Sequence, residues 1–116
     1  MRILFDTSVW IEHFQQGDEK LIEALEENLV VLHPMVIGEL VVGKLPPKVL
    51  NDLLKNECLK EAPWREVIVF IQQEKLMEKG LSWIDVNLLY SSIINEIHLI
   101  TYDKILNKVK EKLDLD

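Results

Sequence analysis

The sequence lacks the features that mark several common classes of site. Its single cysteine, Cys58, allows no disulfide within the chain and no zinc site built mainly from cysteines. With only four glycines, it contains neither a P-loop nor a dinucleotide-binding glycine fingerprint. No apolar run is long enough to span a membrane, and a charge interrupts the N-terminal MRILFD at once, unlike a signal peptide. We therefore expect a soluble, cytoplasmic protein without a membrane span.

Basic residues are also fewer than acidic residues. The 13 lysines and arginines are outnumbered by 20 acidic residues, which gives a formal net charge of -7. Nucleic-acid binders are usually basic because their affinity comes largely from neutralising phosphates, so the net charge alone argues against one. Net charge does not describe a local patch, however, and divalent metals could offset clustered carboxylates. A nucleic-acid substrate therefore stays open.

The composition is that of a folded protein, with 48% hydrophobic residues among 116. We expect a single domain spanning residues 1–116. Short apolar runs alternate with longer amphipathic ones, which predicts an α/β fold. Parallel strands joined by helices would form a three-layer α/β/α sandwich around a central sheet of about four or five strands.

The pattern of apolar residues predicts the individual elements. Strands are expected at residues 2–5, 30–32, near 59, and at 98–101. Helices are expected at residues 8–15, 18–28, 35–42, 48–56, 64–79, 82–96 and 104–113. The segment 64–79 is ambiguous, because its β-branched run VIVFI suits a strand. Its charged flanks and the closing Gly80 favour one long helix, which is our prediction.

Two aspartates each follow a predicted strand. Asp6 ends the first strand, and Asp103 comes just after the last one. In a parallel sheet both would lie at the same edge, where ligands bind in open α/β folds. The alternative is that each aspartate caps the helix that follows it.

Glu39 and Asp85 are the other two candidate acids. Glu39 is the only charge in MVIGELVVG, a segment that should be mostly buried, and a buried carboxylate is costly unless it is paired or binds metal. The alternative is a glutamate at the helix rim, facing water. Asp85 lies three residues after Ser82, which fits a capping box. Capping does not exclude a role in a site.

A set of four carboxylates would suit a particular chemistry. Mg²⁺ and Mn²⁺ prefer oxygen ligands, and bound metal can activate water and stabilise the leaving oxygen of a phosphodiester. Without a cation the set would repel itself, because two carboxylates ~5 Å apart cost ~3 kcal/mol at an effective dielectric of ~20. Metal binding follows only if the four acids converge in the fold.

Four segments carry a resemblance to a known family. They are ILFDTSVWI, VIGELVVG, GLSWIDVNLLYSS and LITYDK, and together they span essentially the whole chain. In this order and spacing they resemble the PIN-domain family, and within it the VapC-like toxins of toxin–antitoxin pairs. The resemblance implies a PIN-like parallel sheet with helices on both sides and an endoribonuclease that depends on Mg²⁺ or Mn²⁺.

The resemblance also implies residue roles and partners. The acidic, metal-binding and catalytic positions of the family fall on Asp6, Glu39, Asp85 and Asp103. Hydroxyl residues that support the site fall on Thr7, Ser8 and Thr101. Members of this family are usually paired with a cognate antitoxin, often form homodimers, and act on RNA, where in-line attack would leave a 3′-hydroxyl and a 5′-phosphate.

Several other residues have two possible interpretations, one structural and one as part of a binding surface. Lys104 and Lys108 share one face of the last helix, which is either a solvated face or an RNA contact beside Asp103. A set of apolar residues is either core or, if exposed, a groove for a helix of the antitoxin: Trp10, Ile11, Phe14 and Val42. Structural roles are expected for Cys58, placed in the core, and for His13, His33 and His98.

Two other classes of function require acidic residues that this sequence lacks. A receiver-like phosphoacceptor domain needs an acidic pair after the first strand, and a haloacid-dehalogenase-type phosphatase needs a second aspartate two residues after the first. Thr7 and Ser8 follow Asp6 instead, which argues against both. A PIN-like protein-interaction module without catalysis and a deoxyribonuclease remain as alternatives.

Overall fold

Four short parallel strands form the central sheet of the protein in the computed structural model, which describes residues 1–113. The strands are β1 (Ile3–Phe5), β2 (Val30–Leu32), β3 (Glu57–Cys58) and β4 (His98–Ile100). Their order across the sheet is β3-β2-β1-β4, and every neighbouring pair is parallel. All four carboxyl ends therefore lie at one edge.

Seven helices connect or follow these strands within the described residues. They are α1 (Thr7–Gln16), α2 (Glu19–Glu26), α3 (Pro34–Val42), α4 (Pro47–Leu53), α5 (Trp64–Gln73), α6 (Trp83–Ile94) and α7 (Lys104–Lys112). Side chains that accept hydrogen bonds from first-turn amides begin α1, α2, α6 and α7, as expected of capping residues. Across residues 1–113, no helix combines the length and apolar character needed to cross a membrane.

The strand order places the helices in two layers. Crossovers between parallel strands are right-handed. The connections from β1 to β2 and from β2 to β3 run across the sheet in one direction, whereas that from β3 to β4 runs back. The helices α1 to α4 therefore cover one face, and α5 and α6 cover the other. Helix contacts agree, since α1 packs against α2 and α3, and α5 packs against α6. The predicted three-layer sandwich is confirmed, with four strands.

Three neighbouring strands, β2, β1 and β4, supply the centre of the core. Leu4 and Phe5 on β1, Val31 on β2 and Leu99 on β4 are all buried. Burying an aliphatic or aromatic side chain of this size contributes about 1.5–3 kcal/mol relative to leaving it exposed. This packing holds the carboxyl ends of the strands in a defined arrangement, on which the candidate site depends.

The prediction of one helix over residues 64–79 is wrong. The helix α5 ends at Gln73, and Lys75 and Glu78 have φ angles of 55° and 58°, outside the helical region. The Leu76 amide donates to the Ile71 carbonyl at 2.9 Å, which is the six-to-one bond of a Schellman motif. Because Lys75 takes the left-handed position that glycine usually occupies, the sequence carried no clear stop signal.

The prediction of a buried Cys58 is also wrong. Cys58 is exposed on β3, an edge strand of two residues whose other member, Glu57, is exposed as well. The predicted strand near residue 59 thus ends one residue earlier, and Leu59 is the buried residue that follows it. The Arg2 guanidinium forms an ion pair with the carboxylate of Glu57 on this edge strand, at 2.5 Å.

Candidate active site

Asp6 and Asp103 lie at the same edge of the sheet, as the strand pattern predicts. The strands β1 and β4 are neighbours, with Phe5 opposite Ile100 in the register. The Asp6 amide continues this pairing by donating to the Ile100 carbonyl at 3.1 Å. The segment 101–103, which we call the β4–α7 loop, therefore starts directly beside Asp6.

The Asp6 carboxylate is buried and held from both sides. Its Oδ1 accepts hydrogen bonds from the Ser8 amide at 3.0 Å and from the Ser8 hydroxyl. Its Oδ2 accepts from the Thr101 hydroxyl, and Thr101 Oγ1 in turn accepts from the Asp103 amide at 3.0 Å. These donors offset the cost of burying a charge, since Asp6 is only 7% exposed. Ser8 and Thr101 thus orient the Asp6 carboxylate.

Glu39 is exposed, so the prediction that it is a buried carboxylate is wrong. Only Val36 and Leu40 of α3 are buried, and Glu39 lies on the outward part of the helix. The contact that fixes it comes from another helix, because the Thr7 hydroxyl donates to Glu39 Oε1 at 2.5 Å. Glu39 is therefore tied to the residue next to Asp6 by packing of α1 against α3.

The capping interpretation is confirmed for all three aspartates. Asp6 caps α1, and Asp103 caps α7 by accepting from the Leu106 amide at 2.8 Å. Asp85 forms a full capping box with Ser82: each side chain accepts from the backbone amide of the other, at 2.9 and 3.0 Å. Each aspartate thus has a structural purpose, and a role in a site would be an additional one.

Asp85 lies in the first turn of another element, α6. The helix α6 precedes β4 and packs against it, so α6 begins on the side where β4 ends. The chain entering α6 also lies against α7, because a methyl group added at Gly80 would stand 3.3 Å from the Ile105 side chain. No hydrogen bond joins Asp85 to Asp6, Glu39 or Asp103 within the described residues.

The donor set fits a divalent metal in its chemistry. Glu39, Asp85 and Asp103 each accept through one carboxylate oxygen, and no residue among 1–113 donates to the second. Oxygen ligands of this kind are those that Mg²⁺ and Mn²⁺ prefer. As the side chains stand, no three acidic, histidine or cysteine residues in that range lie close enough together to enclose an ion. Binding an ion would require side-chain movement, which the exposure of Glu39 and Asp103 permits.

Sequence reasoning missed a tyrosine–aspartate pair behind the site. The Tyr102 hydroxyl donates to Asp18 Oδ2, and the Tyr102 amide donates to Ser8 Oγ at 3.1 Å. Burial opposes ionisation of Asp18, but hydrogen bonds from Tyr102 and from the Leu21 and Lys20 amides outweigh it and lower its pKa. The bond to Asp18, burial and nearby negative charge raise the pKa of Tyr102 to about 12, so its hydroxyl stays protonated at neutral pH.

His33 has the structural role expected of it, at the end of β2. It is fully buried and caps α3, because Nδ1 accepts from the Met35 amide at 3.1 Å. Burial lowers the pKa of His33 below its ordinary value of 6.5, and the negative charge of Glu61 opposes this shift only in part. The neutral imidazole therefore holds the start of the helix that carries Glu39.

Two surfaces lie on helices that also carry residues of the candidate site or begin at them. The apolar groove lies between α1 and the α3–α4 region, is lined by residues that include Ile11, Phe14 and Val49, and has Glu39 at its margin. The sequence left open whether four apolar residues belong to the core or to a groove. Of these, Trp10 is core, whereas Ile11, Phe14 and Val42 are exposed. The basic cleft lies along α7 and is lined by Lys79, Ile105, Lys108, Val109, Glu111 and Lys112.

Comparisons with known proteins agree with this architecture. A family model described as PIN domain matches residues 3–112. Ribonuclease VapC32 of Mycobacterium tuberculosis, in two strains, is 39% identical over 107 residues, which cover 88% of this chain and 85% of the relative. The crystal structure of PAE2754 from Pyrobaculum aerophilum matches with a TM-score of 0.65 at 17% identity, over 91% of this chain and 82% of that one, a likeness of fold alone. The chain belongs to the PIN-domain family, in its VapC-like group.

Proposed function

We propose that this chain is an endoribonuclease and the toxin component of a toxin–antitoxin pair. The observation that carries the proposal is the buried Asp6 carboxylate, oriented by two hydroxyl side chains beside Asp103 at the carboxyl edge of the sheet. Glu39 is tied to the same place through Thr7. The 39% identical relative is named a ribonuclease, which supports RNA as the substrate.

The four carboxylates would hold Mg²⁺ or Mn²⁺. Asp6, Glu39, Asp85 and Asp103 are the ligands we assign. When bound, the ion would supply an activated water and stabilise the leaving oxygen of the phosphodiester. The chain's own contribution is orientation: the hydroxyls of Thr7, Ser8 and Thr101 hold carboxylates that would otherwise rotate, and such outer contacts tune affinity for metal. In-line attack would leave a 3′-hydroxyl and a 5′-phosphate.

Cleavage of a total RNA pool tests this function directly. We expect the purified protein to cut RNA with Mn²⁺ or Mg²⁺, to stop when EDTA removes the ion, and to resume when excess Mn²⁺ is added, because carboxylates alone provide no electrophile. Gel analysis and end-labelling measure cleavage and the chemistry of the ends. A single-stranded DNA of matched sequence is the parallel substrate.

Each alternative function predicts a different result in that experiment. A PIN-like interaction module without catalysis would leave both substrates intact and need not bind Mn²⁺ in a titration. A deoxyribonuclease would cut the DNA in preference to the RNA. Either result would contradict the proposal.

We also propose that the lysines of α7 contact RNA phosphates. Lys104 follows Asp103 directly and is exposed, and Lys108 lies one turn further along, where it lines the basic cleft with Lys79 and Lys112. Only Glu111 among the lining residues carries a negative charge, in a protein whose net charge is -7. A local concentration of lysines on the helix that begins at Asp103 is what a phosphate backbone would need.

Charge reversal at Lys104 and Lys108 should weaken RNA binding and flatten its dependence on salt. Each lost phosphate contact lowers the slope of log K against log salt by about 0.7 for a single strand, so the double variant should lose about 1.4. Fluorescence anisotropy between roughly 50 and 300 mM salt measures this slope, in the presence of EDTA, which prevents cleavage. Reversal of Lys48 and Lys55, exposed lysines on α4 and just after it, is the matched control. Equal slopes in the two double variants would contradict the assignment.

The apolar groove is the surface we assign to the antitoxin. Ile11 and Phe14 are 46% and 41% exposed although they are large and apolar, which marks a surface that a partner covers. An amphipathic helix laid into the groove would bury them. Because Glu39 lies at the margin of the groove, such a partner would also reach the candidate ligands.

A homodimer is also part of the proposal. The helix α5 exposes Trp64, Ile68 and Val69, and the end of α6 exposes Ile93 and Ile94. These two helices cover the face of the sheet opposite the apolar groove. A second copy could therefore pack there without blocking the surface assigned to the antitoxin.

A further inference from the structure

The β4–α7 loop is short and makes several of the contacts of the candidate site. Its three residues connect β4 directly to α7, and two of them are exposed. Thr101 donates to Asp6, and the Asp103 amide donates back to Thr101. The position of this loop therefore decides where Asp6 and Asp103 stand relative to each other.

Tyr102, between those two residues, is attached at both ends. Its amide donates to Ser8 Oγ at 3.1 Å, and Ser8 passes a hydrogen bond on to Asp6 Oδ1. Its hydroxyl reaches across to Asp18. Tyr102 is 43% exposed, so the placement of its side chain depends on the hydrogen bond at its tip more than on burial of the ring.

Asp18 is a fixed anchor for that hydroxyl. It is 8% exposed, and it caps α2 by accepting from the Leu21 amide at 3.0 Å. Its own amide donates to His13 Nδ1 at 3.3 Å, which joins it to the end of α1. The two oxygens of Asp18 thus serve different elements: Oδ1 holds α2, and Oδ2 holds the β4–α7 loop.

We propose that Tyr102 and Asp18 form a brace that positions the β4–α7 loop, and through it Asp6 and Asp103, for metal binding and catalysis. This inference rests on the proposed function for its catalytic consequence. Tyr102 is a positioning residue, since it acts through Ser8 and Thr101 and not on the substrate. The brace ties the corner between α1 and α2 to the carboxyl edge of the sheet, so two elements 84 residues apart fix one site.

Tyr102→Phe removes only the hydroxyl, and Tyr90→Phe is its matched control. The Tyr90 hydroxyl donates to Glu66 at 3.1 Å, so it is also a tyrosine–carboxylate bond, but it lies on α6 and α5. We expect Tyr102→Phe to speed hydrogen exchange at the amides of Tyr102 and Asp103 in the metal-free protein. We expect it to weaken Mn²⁺ binding and lower kcat by about 10-fold, the lower part of the range for outer-shell partners, with KM for RNA unchanged. Tyr90→Phe should change none of these.

Asp18→Ser provides the second half of a double-mutant cycle. Serine still caps α2, but it is too short to reach Tyr102. The double variant should be no worse in Mn²⁺ affinity than either single variant, because each removes the same bond. Additive losses would mean that the two residues act separately, and would overturn the brace.

The readouts separate failure of the brace from failure of the proposed function. Unchanged amide exchange in Tyr102→Phe overturns the brace whatever the activity of the protein. Faster exchange with unchanged Mn²⁺ affinity by calorimetry overturns its positioning role. Faster exchange and weaker Mn²⁺ binding in Tyr102→Phe, together with a wild-type chain that cuts no RNA, would keep the brace and refute the ribonuclease. Thermal unfolding of each variant, measured alongside, confirms that all are folded at the assay temperature.

Discussion

Replacing Asp6 with asparagine should abolish RNA cleavage while the protein remains folded. Asparagine is nearly isosteric and caps helices about as well as aspartate, so α1 keeps its first-turn acceptor. The charge at the centre of the candidate site is lost, and a direct ligand should matter more than outer-shell partners, whose loss costs about 10–100-fold. We therefore expect a loss of at least about 100-fold in kcat/KM, measured at saturating Mn²⁺.

Asp52→Asn is the matched control for this change. Asp52 is an exposed aspartate in a surface ion pair with Lys55, at 3.2 Å. Such pairs contribute little to stability, so this variant should match the wild type in both cleavage and unfolding. Undiminished cleavage by pure Asp6→Asn protein would refute the assignment of Asp6. A variant that is inactive because it is unfolded would be recognised by circular dichroism.

At Asp85, the capping role and the ligand role can be separated by two substitutions. Asp85→Asn keeps an oxygen that can accept from the Ser82 amide but removes the charge, so cleavage should fall by at least about 100-fold with little change in the free energy of unfolding. Ser82→Ala removes the capping hydroxyl and leaves the charge in place. It should lower the free energy of unfolding by about 1 kcal/mol and leave cleavage nearly unchanged.

The comparison of the two variants decides what Asp85 does. Urea unfolding gives the stability change, and cleavage of one defined RNA at saturating Mn²⁺ gives the activity. If Asp85→Asn cleaves as well as the wild type, the capping box is the whole purpose of this residue. The site would then consist of three carboxylates, with Asp85 outside it.

The candidate site was predictable in part because much of its framework is local in sequence. Asp6 and Asp103 follow apolar strands, and parallel pairing of β1 with β4 brings them to one edge. Ser82 and Asp85 have the spacing of a capping box, which the structure contains. The capping box depends on residues three positions apart, and the shared edge follows once the strands are parallel, so the pattern of residues is sufficient to predict both.

The burial of Glu39 is the feature of the site that the sequence predicted wrongly. Its apolar neighbours predicted a buried helix face, but Val41 and Val42 are exposed with it. An apolar segment can lie at a surface that a partner covers, and composition alone does not distinguish the two cases. The contact that ties Glu39 to the site comes from Thr7, 32 residues away, and depends on the packing of α1 against α3.

The sequence and the tertiary structure determined different features of this protein. The sequence by itself determined the strands, the caps of the helices and the family, because hydrophobic periodicity and capping act over a few residues. Only the tertiary structure decided how the side chains are held: Thr101 reaches Asp6 across 95 residues, and Tyr102 reaches Asp18 across 84. Such contacts join elements that the chain brings together only when the sheet and its helices have packed.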